Sequence, residues 1–345
     1  MRCLLVAAIG SFALSRSLSF AGGPAAPRSV RIADAAGKEV QIALPVRRVI
    51  SLSWDGAEVI RAIGAADRLM AINSTMAKEP EFWGSLNKLP RIGGAFDPNC
   101  EVIAELHPDL VIAYAMRPDS TFEEKMAKFG IPVLRLDCYK PERVTTDVCA
   151  LGQILECNEG AKRLAEFMEK WTHVVEERLR DVPPERRPRV YVEGYMDFRG
   201  SGAGTGGDSM CVLAGGRNIA ESLGVKYPTV SSEWVIEQNP DVILKAVGSS
   251  DKIAGYGASD DKGMKELRDQ IVARTGWDKI AAVRDGRVCL VSAHAWLGPA
   301  CVIGELQLAK WFHPALFADV DPQKVLADYL KTFHGLTATG VLFYP

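Results

Sequence analysis

The sequence predicts an α/β protein of two similar lobes with central, mainly parallel sheets, joined by one long α-helix. Three observations carry this prediction. Segment 101–113, EVIAELHPDLVIA, returns at 233–245 as EWVIEQNPDVILK. Short apolar runs alternate with stretches of helical period through both halves of the chain, the pattern of layered α/β architecture. Between the halves, apolar residues recur at helical spacing from Ala161 through Leu164, Phe167, Met168, Trp171, Val174 and Val175 to Leu179, until Pro183 and Pro184 stop the run.

The first half opens with alternation over Val30–Ile42, broken at Ala36-Gly37, which predicts a hairpin. A strand over Val49–Leu52, a helix over Asp55–Ile63 and a strand over Leu69–Ile72 follow. The two repeat copies then share Glu101/Glu233, Glu105/Glu237, Pro108/Pro240 and Asp109/Asp241 at an offset of 132. Each copy reads as a short amphipathic helix, a Pro-Asp turn and a buried strand, Leu110–Tyr114 and Val242–Ala246. Proline ends the helix because it lacks an N–H and restricts the residue before it. The unbroken apolar run after Asp fits a strand covered on both faces, as in a parallel sheet. Helix Ser120–Phe129 and strand Val133–Leu136 close the half. A helix over Asn158–Arg180 is about 35 Å long at 1.5 Å per residue and forms a stiff strut. The second half holds strand Arg189–Glu193, a Gly-rich stretch, helix Ser209–Ala214, the second copy, helix Gly263–Ala273, strand Arg287–Val291 and two closing helices. The expected organisation is a leader at 1–21, a first lobe at 28–156, the strut at 157–184 and a second lobe at 185–345.

Composition bounds the function. The 345 residues suggest about two domains. Apolar residues at 48% and charged residues at 24% are those of an ordinary globular chain. Lys plus Arg total 41 against 43 Asp plus Glu, a net charge of −2, so no basic excess serves a phosphate backbone and nucleic acid is excluded as a partner. The start, MRCLLVAAIGSFALSRSLSFA, has a basic residue, an apolar run over Cys3–Leu14 and small residues at Ser19 and Ala21. This is a secretory signal pattern, and its apolar run is shorter than the roughly 20 residues a spanning helix needs; an N-terminal membrane anchor is the alternative. Cleavage after Ala21 leaves 324 residues with net charge −4 and an expected periplasmic or otherwise exported location. Seven cysteines remain, an odd number without C-x-x-C, which argues against a fully paired framework and a zinc ribbon. Neither G-x-S-x-G nor H-E-x-x-H occurs, so nucleophile-elbow and zinc-protease chemistry are unsupported and no enzyme is expected. Gly202–Gly207 matches G-x-G-x-x-G, but Met196–Ser201 separate it from the preceding strand, so it reads as a loop whose backbone approaches a ligand.

Several segments together carry a family resemblance: DAAGKEVQI, RRVISLSWDGAEVIRAIGAADRLMAI, LPRIGGAFDPNCEVIAELHPDLVIA, AGGRNIA, VSSEWVIEQNPDVIL and GPACVIGELQLAKWFHPALFADVDP. They span the chain beyond the leader. In order and spacing it resembles the periplasmic solute-binding proteins of iron-complex ABC importers, the helical-backbone class (class III) that binds siderophores, haem, cobalamin and some oxyanions. The resemblance implies capture of a metal complex, foremost a ferric siderophore-type complex, between the lobes and its delivery to an ABC permease dimer. It implies no cofactor of the protein's own and a monomer. Haem, cobalamin and molybdate or tungstate are the alternative ligands, and a tetrapyrrole-processing enzyme the alternative of another class. In this family a glutamate on each lobe docks on permease arginines, which places that role on Glu101 and Glu233.

Open α/β sheets bind ligands beyond the carboxyl ends of their strands. That rule selects Trp54, Phe96 of the Gly93–Phe96 loop, Tyr114, Arg117, Tyr195, Arg199, Lys245, His294 and Trp296. The rings offer stacking area and the cations offer charge to an anionic chelate or oxyanion. Of five dispersed histidines only His294 falls at a strand end facing the cleft, which makes it the candidate metal ligand, with Tyr114 or Tyr195 beside it.

Overall fold

A computed structural model describes residues 28–248, 252–337 and 340–345. The leader expected at 1–21 lies outside these residues. The chain opens with an antiparallel hairpin of β1 (Arg28–Ala33) and β2 (Glu39–Leu44), Val30 opposite Ile42. Its turn is set by Asp34, whose carboxylate accepts from Ala36 N and Lys38 N, and by Gly37 at φ +80°. A three-stranded parallel sheet follows in the order β3 (Val49–Ser51), β4 (Leu110–Ala113), β5 (Val133–Arg135). Around it run α1 (Trp54–Ala62), α2 (Pro80–Trp83), α3 (Cys100–Glu105) and α4 (Ser120–Lys128).

Two sequence expectations change here. Leu69–Ile72 is not a strand: Leu69 bridges Val49 and Ile72 bridges Arg91, so the segment leaves one neighbour for another within three residues and never builds a ladder. A helix the sequence reading passed over, α5 (Pro141–Ile154), begins with Pro141 in its first turn and buries Val144, Val148, Leu151 and Ile154 at helical spacing. The strut is α6 (Asn158–Leu179), one residue shorter than expected.

The second sheet has five strands, in the order β10 (Phe343–Tyr344), β9 (Val288–Ser292), β8 (Val242–Val247), β6 (Arg189–Glu193), β7 (Arg217–Asn218), parallel except at the β10 edge. Its helices are α7 (Gly206–Leu213), α8 (Ser232–Gln238), α9 (Lys262–Val272), α10 (Ala281–Arg284), α11 (Cys301–Phe312) and α12 (Pro322–Tyr329). α7 starts three residues earlier than expected, taking the last two glycines of the Gly-rich stretch into its first turn.

The repeat is real in three dimensions. α3 leads into β4 and α8 into β8, and both helices end in the left-handed region one residue before the proline, at His107 (φ 45°) and Asn239 (φ 44°). The two aspartates do equivalent jobs: Asp109 Oδ2 accepts from Arg47 N and Arg48 N (2.7 and 2.9 Å), and Asp241 Oδ2 from Arg189 N (2.7 Å), each tying the turn to the start of the neighbouring strand. One apolar core runs from the inner face of the first sheet through α5, α6 and α11 to the inner face of the second, and smaller cores fill the outer faces. The tail crosses back: Tyr329 Oη donates to Glu58 Oε1 (2.6 Å) and Arg61 donates to His334 O (3.0 Å), so the expected second-lobe span 185–345 includes a segment packed on α1. All seven described cysteines are free thiols. No described helix is long and apolar enough to cross a membrane.

Candidate functional site

The carboxyl ends of the strands of both sheets meet in a cleft with two adjoining cavities. One, of about 380 Å³, has Trp54, Asn73, Phe96 and Tyr114 on the first lobe and Ala293, His294 and Leu297 on the second. The other, of about 240 Å³, has Tyr139 on the first lobe and Tyr195, Arg199, Tyr227 and Trp296 on the second, with Leu297 shared between the two. A larger cavity of about 710 Å³ lies between α5, α6 and α11, away from the strand ends and lined by no Trp, Tyr or Phe.

Local sequence explains the first wall. β3 ends at Ser51, and Ser53 caps α1 by accepting from Gly56 N (3.1 Å). Gly56 has to be small, since a Cβ there would lie 2.6 Å from Ser53 Oγ. This turn delivers Trp54 to the cleft floor, packed against Phe82, Trp83 and His294 at centroid distances of 4.8 to 5.3 Å. Gly93 takes φ +84° in a tight loop, with Gly94 N donating to Asp97 O, and this holds Phe96 65% exposed at the cleft mouth, 5.9 Å from the Tyr114 ring. Tyr114 Oη donates to Asp55 Oδ1 at 2.6 Å. Burial pushes the Asp55 carboxyl up to about 7, and its Oδ2 has no hydrogen-bond partner.

The second wall is held by glycines. Gly200 N donates to Pro228 O (2.8 Å) and Gly202 N to Lys226 O (2.7 Å), which lays segment 225–228 against 200–202 and carries Tyr227 to the cleft. A Cβ on Gly202 would sit 2.0 Å from Val225 O, so no larger residue fits there. Trp296 packs over Gly207, whose Cβ would come 3.1 Å from its ring.

Of the residues selected from sequence, Trp54, Phe96, Tyr114, Tyr195, Arg199, His294 and Trp296 line these cavities. Three expectations are corrected. Lys245 is a buried ion-pair member: its ammonium donates to Glu193 Oε1 (2.9 Å) and Asp197 Oδ1 (3.1 Å), and Arg274 bonds the same two carboxylates. A strand buried on both faces gives a lysine no route to the cleft, so it is neutralised in place. Arg117 is exposed on the loop after β4 and lines neither cavity. His294 is placed as expected but offers no metal lone pair to the cleft, because Nδ1 lies 3.0 Å from Ser292 Oγ and Nε2 is buried 3.4 Å from Glu79 Oε1. No group of three or more His, Cys, Asp or Glu among the described residues could hold a metal ion. Glu101 and Glu233 are exposed in the first turns of α3 and α8, capped by Asn99 and Ser231.

The sequence reading missed Asn73, Tyr139, Ser201 and Tyr227. Tyr139 was reachable, since it follows β5 by the same strand-end rule. Asn73 was hidden because its segment is no strand; its side chain donates to Leu52 O (2.7 Å) and accepts from Thr75 N and Met76 N. Tyr227 arrives through loop packing that leaves no local signal.

A family model described as periplasmic binding protein matches residues 49–295. The molybdate-binding protein MolA of Haemophilus influenzae is 26% identical over 340 residues, covering 88% of this chain and 90% of that one. The vitamin B12-binding protein of Yersinia pestis is 29% identical over 197 residues, 57% of this chain and 68% of that one. Among solved structures, the TroA-like periplasmic binding protein FepB from Veillonella parvula superposes with a TM-score of 0.76 at 22% identity, over 91% of this chain and 99% of that one, a likeness of fold.

Proposed function

This chain belongs to the periplasmic binding protein family, and from that premise we propose that it captures a metal complex with an organic periphery, foremost a ferric siderophore-type complex, between its lobes and presents it to an ABC permease. One observation supports this above the others. Seven rings, Trp54, Phe96, Tyr114, Tyr139, Tyr195, Tyr227 and Trp296, converge on the cleft from both lobes, and no protein ligand set for a bare ion accompanies them among the described residues. Aromatic walls reward flat apolar surface and reject a small hydrated ion. The metal then arrives already chelated, and the protein binds it without turnover. A free oxoanion is the second reading, favoured by the molybdate-binding relative, which matches over nearly the whole chain. Haem and cobalamin are further members of the ligand class to be tested.

The leader at 1–21 would direct export. Glu101 and Glu233 stand at corresponding turns of the two repeat copies. We read them as the acids that meet a two-fold permease dimer, one per subunit, with helix-start placement favouring the negative charge.

Titration calorimetry with a ferric tricatecholate, haemin, cyanocobalamin and sodium molybdate tests the ligand class. Phe96→Ala, at an exposed ring, is expected to weaken chelate binding several-fold while the melting temperature stays within a degree or two. No heat from any chelate, with molybdate binding intact, would replace the first reading by the second.

A further inference from the structure

One end of the cleft carries more hydrogen-bond donors than an aromatic wall requires. α7 starts behind Thr205, whose hydroxyl accepts from Asp208 N (3.2 Å). The amides of Gly206 and Gly207, the first two of the helix, find no acceptor among the described residues. The first four N–H groups of a helix have no partner within it, and together with the dipole they favour an anion. Both glycines line the 240 Å³ cavity.

A second, independent feature stands on the same wall. Ser201 is only 5% exposed, yet its hydroxyl has no protein partner among the described residues and the residue lines that cavity. A Cβ built on Gly207 would fall 2.5 Å from Ser201 Oγ, so the hydroxyl lies directly against the first turn of α7. The hydroxyl opens on the cavity rather than being sealed in the core, so beside two open amides it is free to donate to an acceptor placed there. Arg199 lines the cavity too. Its Nη1 donates to Thr229 Oγ1 (3.2 Å), which leaves most of the guanidinium fork unused. No carboxylate lines this cavity. The acid of the first turn, Asp208, is engaged elsewhere, accepting from Gly204 N and Asn218 Nδ2 at 2.9 Å each.

We propose that this corner of the cleft is an oxyanion subsite, in which the Gly206 and Gly207 amides, the Ser201 hydroxyl and Arg199 together hold an anionic oxygen group of the ligand. The proposal rests on the reading that the interlobe cleft is the ligand site. The group is either a carboxylate arm of a metal chelate or a free tetrahedral oxoanion, and both present the same negatively charged oxygens. The rings then cover the remainder of a chelate, or close over a small oxoanion.

Calorimetry on the full protein without its leader separates these cases with three probes: sodium molybdate, ferric citrate and an uncharged ferric trihydroxamate. Ser201→Ala removes one donor to a charged group and is expected to weaken the anionic probes about tenfold, leaving the trihydroxamate unchanged. Its melting temperature without ligand should hold or rise, because the hydroxyl it deletes has no partner to lose. Arg199→Gln should weaken the same probes and flatten their salt dependence. Loss with molybdate assigns the subsite to a free oxoanion, and loss with ferric citrate alone assigns it to a chelate arm. If both variants bind the anionic probes like wild type, or if wild type binds only the trihydroxamate, the subsite is refuted and the cleft reading stands. If wild type binds none of the three, the subsite is refuted, and the cleft reading falls with it only if the tricatecholate, haemin and cyanocobalamin also give no heat.

Discussion

At the scale of single residues, burial decides behaviour that residue type leaves open. Desolvation pushes Asp55 to about 7, and Glu58 and Glu305 to about 8, while it depresses His334 to about 3. The sign of the pH effect follows. A carboxyl with a raised folded value keeps a proton the unfolded chain has released, so its contribution is whole below about pH 4 and is lost as pH rises through the folded value. His334 acts oppositely: its contribution is present above about pH 6.5 and is lost on acidification. Between pH 6.5 and 8 the three carboxyls outweigh the remaining titration of His334 in the unfolded chain, so stability falls. Melting curves should show a lower midpoint at pH 8 than at pH 6.5, and Glu58→Gln should shrink the difference; a midpoint rising over that interval contradicts the assignment. Lys245 gives a second residue-scale expectation. Lys245→Met leaves Glu193 and Asp197 short of one buried cation and should cost about 3–5 kcal/mol in denaturant unfolding. Strand-end position alone led to Trp54, Tyr114, Tyr195 and Trp296, because it depends only on where apolar runs stop. It failed for Lys245 and for the nitrogens of His294, because Glu193, Asp197, Ser292 and Glu79 set their roles and three of those four are far away in sequence.

At the scale of elements, close approach between helices depends on a few small residues. A Cβ on Gly160 of α6 would lie 2.0 Å from Ile63 O at the end of α1, and one on Gly152 of α5 would lie 2.4 Å from the Ala161 Cβ. Backbone on the other side cannot rotate away, so Gly160→Ala must separate α6 from α1. The expected cost is about 1–3 kcal/mol, read as a lower denaturant midpoint with an unchanged slope. An unchanged midpoint would mean that the contact is looser than the geometry shows. The helices and strands themselves were largely legible, because proline placement, caps and apolar period act locally. α6 and β6 fell within a residue of expectation for that reason. The segment 69–72 did not, since an apolar run makes a strand only where a neighbour pairs along its length.

At the scale of the molecule, two α/β lobes share one apolar core through α5, α6 and α11. Such a joint favours small lobe movements over wide opening, and the tail that crosses from α12 to α1 ties the lobes a second time. The docking reading belongs to this scale. Glu101→Arg or Glu233→Arg should each cut ligand uptake in cells carrying the cognate permease, the double variant should abolish it, and ligand affinity in solution should not change. Uptake that persists in the double variant would remove both residues from the docking surface. By itself the sequence determined the α/β class, the repeat, the strut and most of the rings that line the cleft. These follow from periodicity and chain breaks, which are properties of neighbours along the chain. Only the tertiary structure decided which charges stay available, that Tyr139 and Tyr227 line one cavity from the two lobes, and that Ser201 stands open beside the first amides of α7. Those outcomes depend on desolvation and on partners brought together by folding, and no local pattern encodes either.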